Sequence, residues 1–172
     1  MLRQILPINS FRLRLISQPI DLSAGVPEEI KALAQDMLET SRVVGGAGMA
    51  AIQVGEPVRL FVMDFSHRGG DTIAFINPEV TYKSEEQVIR KEGCLSMPEV
   101  FAMVSRAAEI ILTYTDLDGN PQTYQATGLE AMCCQHEMDH LNGTVYLDLL
   151  TPLRREIALK QFQKHLRQKA MA

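Results

Sequence analysis

The sequence predicts helices combined with an antiparallel sheet. Three observations carry this. Residues 27–43 and 127–143 place apolar side chains at helical spacing between helix start and stop signals. Between these segments, short apolar runs alternate with polar residues, as in strands with one wet face. Residues 116–120, Asp-Leu-Asp-Gly-Asn, form a hairpin turn signal that joins neighbouring strands directly.

The chain has 172 residues, of which 46% are hydrophobic and 22% charged. That composition fits one globular domain over 1–172, with 151–172 as a basic helical extension. The net charge of -4 speaks against DNA binding by overall charge. Cys94, Cys133 and Cys134 are odd in number and partly adjacent, a poor disulfide framework. No apolar run reaches the roughly 18 residues of a membrane span, and the first residues lack a signal-peptide pattern. The expected location is the reducing cytoplasm, away from membranes.

In chain order, Phe11, Leu13 and Leu15 alternate with Arg12 and Arg14, which reads as a short strand or extended arm. Pro27, Glu28 and Glu29 open a helix whose buried face is Ile30, Leu33, Met37 and Leu38. Gly45 and Gly46 stop it. Residues 45–55 are rich in glycine and alanine, so another backbone or a substrate can approach closely. Gln53 is a lone amide among small apolar neighbours, a candidate hydrogen-bond donor.

Residues 58–64 read as a buried strand, and 72–77 as a second one stopped by Pro78. A more exposed strand is expected within 80–91, another over 106–114, and its partner over 122–125. Thr127 with Glu130 forms a capping-box pattern, and Gly143 ends the helix begun there. Residues 145–147 read as a short strand. Pro152 opens a last helix with Leu159, Phe162 and Leu166 as its apolar stripe. That helix carries Arg154, Arg155, Lys160, Lys164, Arg167 and Lys169 against the single acid Glu156.

The chemistry lies in Gln135-His136-Glu137-Met138-Asp139-His140. Residues four apart share a helix face, so His136 and His140 can grip one divalent cation at about 2.0–2.1 Å. Glu137 sits beside them without being a ligand, where a general base for water belongs. Met132 and Cys133 lie one turn earlier and read as core, or as the floor of an apolar pocket. A third ligand must come from elsewhere. In Glu92-Gly93-Cys94-Leu95-Ser96-Met97-Pro98 a turn presents Cys94, and the Leu95 N–H is a possible oxyanion donor.

Three ligands with an open position define a catalytic site; a closed set including Cys133 or Cys134 would be structural. A zinc protease of the H-E-x-x-H-x-x-G-x-x-H kind is the competing enzyme. Gly143 fits its pattern, but Tyr146 stands where its third histidine belongs. Asp139 reads as a partner for Arg106 or as a solvated acid.

Residues 46–53, Gly-Ala-Gly-Met-Ala-Ala-Ile-Gln, together with residues 92–96 and 135–140, resemble the three signature motifs of the peptide deformylases. They stand in the family's order and at similar spacing, over nearly the whole chain. The resemblance implies an α+β fold with antiparallel sheets packed around the helix that bears the histidines. It implies removal of the formyl group from N-formylmethionyl peptides, with formate released. By the same resemblance Cys94, His136 and His140 hold ferrous iron, for which zinc, nickel or cobalt can substitute. Glu137 is then the general acid/base, while Gln53 and the Leu95 N–H steady the oxyanion. The methionine pocket would use Gly46, Gly48, Glu92, Gly93, Leu129, Met132 and Cys133. The basic C-terminal helix would dock on the ribosome.

Several residues depart from the family pattern. Met49 replaces a common leucine, Ile52 a common proline, and Phe101 a basic or polar residue. The arm reads Ile8-Asn9-Ser10-Phe11 where Tyr-Pro-Asp-Pro is usual. These changes bear on pocket shape and substrate reach, and fit a divergent second copy. A relative that binds metal or peptide without turnover is the non-enzymatic alternative.

Overall fold

The computed structural model describes residues 1–170, so the last two residues of the 151–172 extension lie outside it. Its architecture is α+β, with antiparallel sheets and three helices. Helix α1, Glu28–Val43, buries the expected face of Ile30, Leu33, Met37 and Leu38. Five strands form one sheet: β1 (Gly48–Ala50), β2 (Leu60–Asp64), β3 (Thr72–Lys83), β6 (Glu109–Thr115) and β7 (Pro121–Thr127). They pair antiparallel in the order β1-β2-β3-β6-β7. Strands β4 (Gln87–Cys94) and β5 (Met97–Ala107) make a separate ribbon.

Strand β2 shows why its sequence is an unbroken apolar run. Leu60 and Val62 pack with Leu33 and Met37 of α1. Phe61 and Met63 point the other way and pack with Ala131, Cys134 and Met138 of helix α2 (Gly128–Leu141). Both faces of the strand are therefore covered. The Phe61 and Phe75 rings stack at 4.3 Å between centroids. Helix α2 is buried on most sides, between the sheet and the β4–β5 ribbon. Helix α3, Pro152–Ala170, packs on β5 through Ala158 and Phe162.

Several local expectations are corrected. Residues 11–14 form a 3-10 turn that buries Leu13 and leaves Phe11 exposed, so period-2 alternation misleads there. The glycine- and alanine-rich stretch, read only as a place of close approach, holds β1 and the 3-10 turn Ala51–Val54. Strand β3 continues through Pro78, because Asn77 at φ 49° takes a bulge and exchanges two side-chain hydrogen bonds with the Ile20 backbone. Arg106 belongs to β5, a strand not anticipated over 97–105. Thr127 makes no side-chain cap, and Glu130 instead accepts the Tyr124 hydroxyl at 2.8 Å. Residues 146–149 form a 3-10 turn, with Asp148 accepting the Val145 N–H. Gly143 does end α2: its φ is 71°, and a Cβ there would lie 2.6 Å from the Arg14 carbonyl oxygen.

Candidate metal centre

Two elements bring the expected ligands together. Helix α2 presents His136 and His140 on one face, their ring centroids 4.9 Å apart. The β4–β5 ribbon makes a tight turn in which Cys94 pairs with Met97 and aims its sulfur at the same point. The donor atoms of Cys94, His136 and His140 all lie within 4.8 Å of one another, and all three residues are buried. Cys94 Sγ is 3.3 Å from His140 Nε2. A tetrahedral ion with bonds of about 2.3 Å to sulfur and 2.0–2.1 Å to nitrogen places such atoms about 3.5 Å apart. The donor set fits a divalent transition metal by identity and by spacing.

The histidines are oriented from outside. His136 Nδ1–H donates to Glu92 Oε1 at 2.6 Å, which leaves Nε2 facing the cluster. Glu92 also takes two bonds from Arg106, at 3.0 Å from Nε and 2.7 Å from Nη2. Arg106 Nη1 reaches Asp139 at 2.6 Å, so the pairing read from sequence forms. One guanidinium thus ties β4 and β5 to α2. Burial opposes ionisation of Glu92, yet His136 and Arg106 hold it well below the usual carboxylate range. Burial pushes His140 well down, toward the neutral form a ligand needs.

Glu137 sits differently. Its Oε2 is buried without a partner, and burial pushes its pKa up to about 7. Gly48 makes the space for it: a Cβ there would meet Cys133 Sγ at 2.6 Å and Glu137 Oε1 at 2.7 Å. Gln53, only 1% exposed, is fixed by the Ala50 N–H donating to its Oε1 at 2.9 Å. Its amide nitrogen then faces Ser96 Oγ at 3.2 Å and Cys94 Sγ at 3.6 Å. The N-terminal arm braces both sides of this arrangement. The Leu6 N–H donates to the Gln53 carbonyl, and the Ile8 N–H to the Ser96 carbonyl, each at 2.7 Å.

A cavity of about 400 Å³ opens beside the cluster. Gly46, Gly48, Gln53, Glu92, Gly93, Cys94, Leu95, Leu129, Met132, Cys133, His136 and Glu137 line it; His140 lies behind them. Gly46 matters for the Leu95 side, because a Cβ there would meet the Leu95 side chain and Ser41 Oγ at 2.7 Å. The Cys133 thiol is pushed up by burial and by Glu137, which disfavours the thiolate a metal requires. Tyr146 is likewise turned away, with its hydroxyl donating to the Val100 carbonyl at 3.2 Å. Sequence reasoning missed Arg68 and Lys91, which also line the cavity. Lys91 could have been found, since it shares a strand face with Gly93. Arg68 carries no such signal.

Comparison with known proteins agrees with this geometry. The polypeptide deformylase family matches residues 2–156. A peptide deformylase of Rhodopseudomonas palustris is 46% identical over 167 residues, covering 95% of this chain and 94% of that one. One from Bradyrhizobium diazoefficiens is 46% identical over 169 residues, covering 95% of each. The crystal structure of a peptide deformylase from Legionella pneumophila superposes with a TM-score of 0.93 at 34% identity, over 100% of this chain and 99% of that one. The Ehrlichia chaffeensis peptide deformylase in complex with actinonin gives 0.88 at 37% identity, over 95% and 97%. Among the described residues, no helix is long and apolar enough to cross a membrane. The chain belongs to the peptide deformylases, metal-dependent hydrolases that remove the formyl group from the N-terminal formyl-methionine of nascent polypeptides.

Proposed function

We propose that Cys94, His136 and His140 hold one catalytic cation, natively ferrous iron, with zinc, nickel or cobalt as substitutes. The observation that carries this is the convergence of their three buried donor atoms next to a carboxylate oxygen without a partner. When bound, the cation supplies Lewis acidity, polarising the formyl carbonyl and acidifying a water molecule.

Glu137 holds the proton taken from that water on its carboxylate and returns it to the departing amine. Its raised pKa suits it to carry a proton near neutral pH. The Gln53 amide N–H and the Leu95 N–H stabilise the negative oxygen; losing one such donor costs about 2.7–4 kcal/mol in other enzymes. Gly46, Gly48, Gly93, Leu129, Met132 and Cys133 cradle the methionine side chain. Glu92 completes that wall but acts chiefly by positioning His136. The products are formate and a free amino terminus. The reaction belongs in the cytoplasm, on one catalytic domain.

The test uses Glu137→Ala and Glu137→Gln in protein loaded anaerobically with iron, nickel or cobalt. Metal content should persist while formate release from a formyl-methionyl peptide collapses. Full activity in either variant removes Glu137 from the mechanism.

Helix α3 supports a ribosome-docking surface. Its cations face solvent, and Leu153, Ile157 and Leu166 stay partly exposed. Charge reversal of Lys160, Lys164 and Arg167 should abolish ribosome co-sedimentation without changing turnover of a short formyl-peptide. Unchanged co-sedimentation would leave α3 as a packing element only.

A further inference from the structure

The β4–β5 ribbon carries an apolar strip that the reaction described above does not use. Ile89, Lys91 and Gly93 share one face of β4, opposite Ser105, Met103 and Phe101 of β5. On this face Phe101 is 52% exposed, Met103 49% and Ile89 68%. The intervening residues Val100, Val104 and Arg106 are buried on the other face.

The strip begins at the cavity, because Gly93, Lys91 and Phe101 all line it. The Phe101 ring packs against Gly93, where a Cβ would come within 2.7 Å of it. From there Met103 and then Ile89 lead outward along the ribbon. Same-face positions on a strand repeat about every 6.6–6.8 Å. An extended peptide repeats its own alternate side chains at that interval, so one leaving the cavity can match the strip. The exposed rim of the cavity also carries two cations, Arg68 and Lys91, whose Nζ stands 4.5 Å from the Phe101 ring centroid; the exposed acid there is Glu99, while Glu92 and Glu137 are buried.

We propose that Phe101, Met103 and Ile89 form an apolar track for the substrate residues that follow the formyl-methionine. The track selects peptides with apolar side chains there and discriminates against cationic ones. It rests on reading the cavity as the formyl-methionine site. The occupant is the peptide, because the track is continuous with that cavity and a bound chain leaves across it.

The test is steady-state kinetics on formyl-methionyl tetrapeptides whose remaining residues are Leu, Ser or Lys. Wild-type protein should give the highest kcat/KM with Leu and the lowest with Lys. Met103→Ser, Ile89→Ser and Phe101→Ser should raise KM for the Leu peptide about three- to tenfold, with kcat little changed. The Leu-to-Ser ratio should then fall toward one. A merely structural role would lower both peptides together and keep the ratio, which overturns the proposal. So does light scattering that shows a dimer dispersed by Met103→Ser, since the strip would then be a self-interface. No formate from any peptide with metal-loaded wild-type protein overturns the reading of the cavity itself, a distinct result.

Discussion

Two glutamates on opposite walls of one cavity behave in opposite ways. Glu92, on β4, is 2% exposed and Glu137, on α2, is 3% exposed. Equal burial should raise both. Glu92 is instead held low, because Arg106 and His136 saturate its oxygens. Glu137 has an oxygen with no partner and is pushed up to about 7. Partners, rather than depth, decide which carboxylate is a fixed anchor and which can exchange a proton.

The sharpest way to break the comparison is to exchange the consequences. Glu137→Gln should lower kcat by about 10²–10⁴-fold, the usual worth of a positioned acid–base group. Its melting temperature should match or exceed wild type, since a poorly solvated acid becomes a neutral amide. A marked loss of stability would mean that Glu137 is an anchor too.

Glu92→Ala should show the reverse emphasis. It leaves the Arg106 guanidinium buried without its main partner, at a cost of about 3–5 kcal/mol in urea unfolding. It also frees the His136 ring, which should weaken metal affinity about 10–100-fold by competition with a chelating dye. Wild-type stability in this variant would sink the anchor assignment.

Asp64 extends the comparison to a saturated carboxylate outside the cavity. It accepts Ser66 Oγ at 2.6 Å and N–H at 3.0 Å, Thr72 Oγ1 at 2.9 Å, and the Arg42 guanidinium. Ser66 first, then Arg42 and Thr72, hold it below the ordinary carboxylate range. A depressed folded-state pKa gives stability that is present above the unfolded value and lost as pH falls toward the folded one. Asp64→Asn should cost about 1–2 kcal/mol at neutral pH. That deficit should shrink as pH drops below about 4. A deficit independent of pH would assign it to packing.

The smallest effect belongs to Asp139, whose side chain is 27% exposed. A double-mutant cycle with Arg106 should give a coupling of about 0.5–1 kcal/mol. No coupling would make the bond to Arg106 incidental.

What was legible in the sequence follows from how local each signal is. The histidine helix depends on a spacing of four, and its end on one glycine, so both can be read directly. The ribbon strand β5 cannot. Its inward positions include Arg106, while Phe101 and Met103 point outward, which inverts the pattern that marks a half-buried strand. Pro78 misled because the Asn77 bulge depends on Ile20, 57 residues away. Glu130 misled because Tyr124 takes the carboxylate a capping box would use. The pairing of Glu92 with His136 spans 44 residues, and no spacing rule reports it.

The arm that touches the Gln53 and Ser96 carbonyls works as a ruler. Only Pro7 separates its two contacts, so the gap between them is the reach of a short extended segment at about 3.3 Å per residue. Proline stiffens that gauge by fixing its own φ. Glycine at position 7 would leave both stitches in place and let the interval breathe. The Gln53 amide and the Leu95 N–H proposed to face the oxyanion would then lose their fixed spacing, although residues 6–8 do not line the cavity.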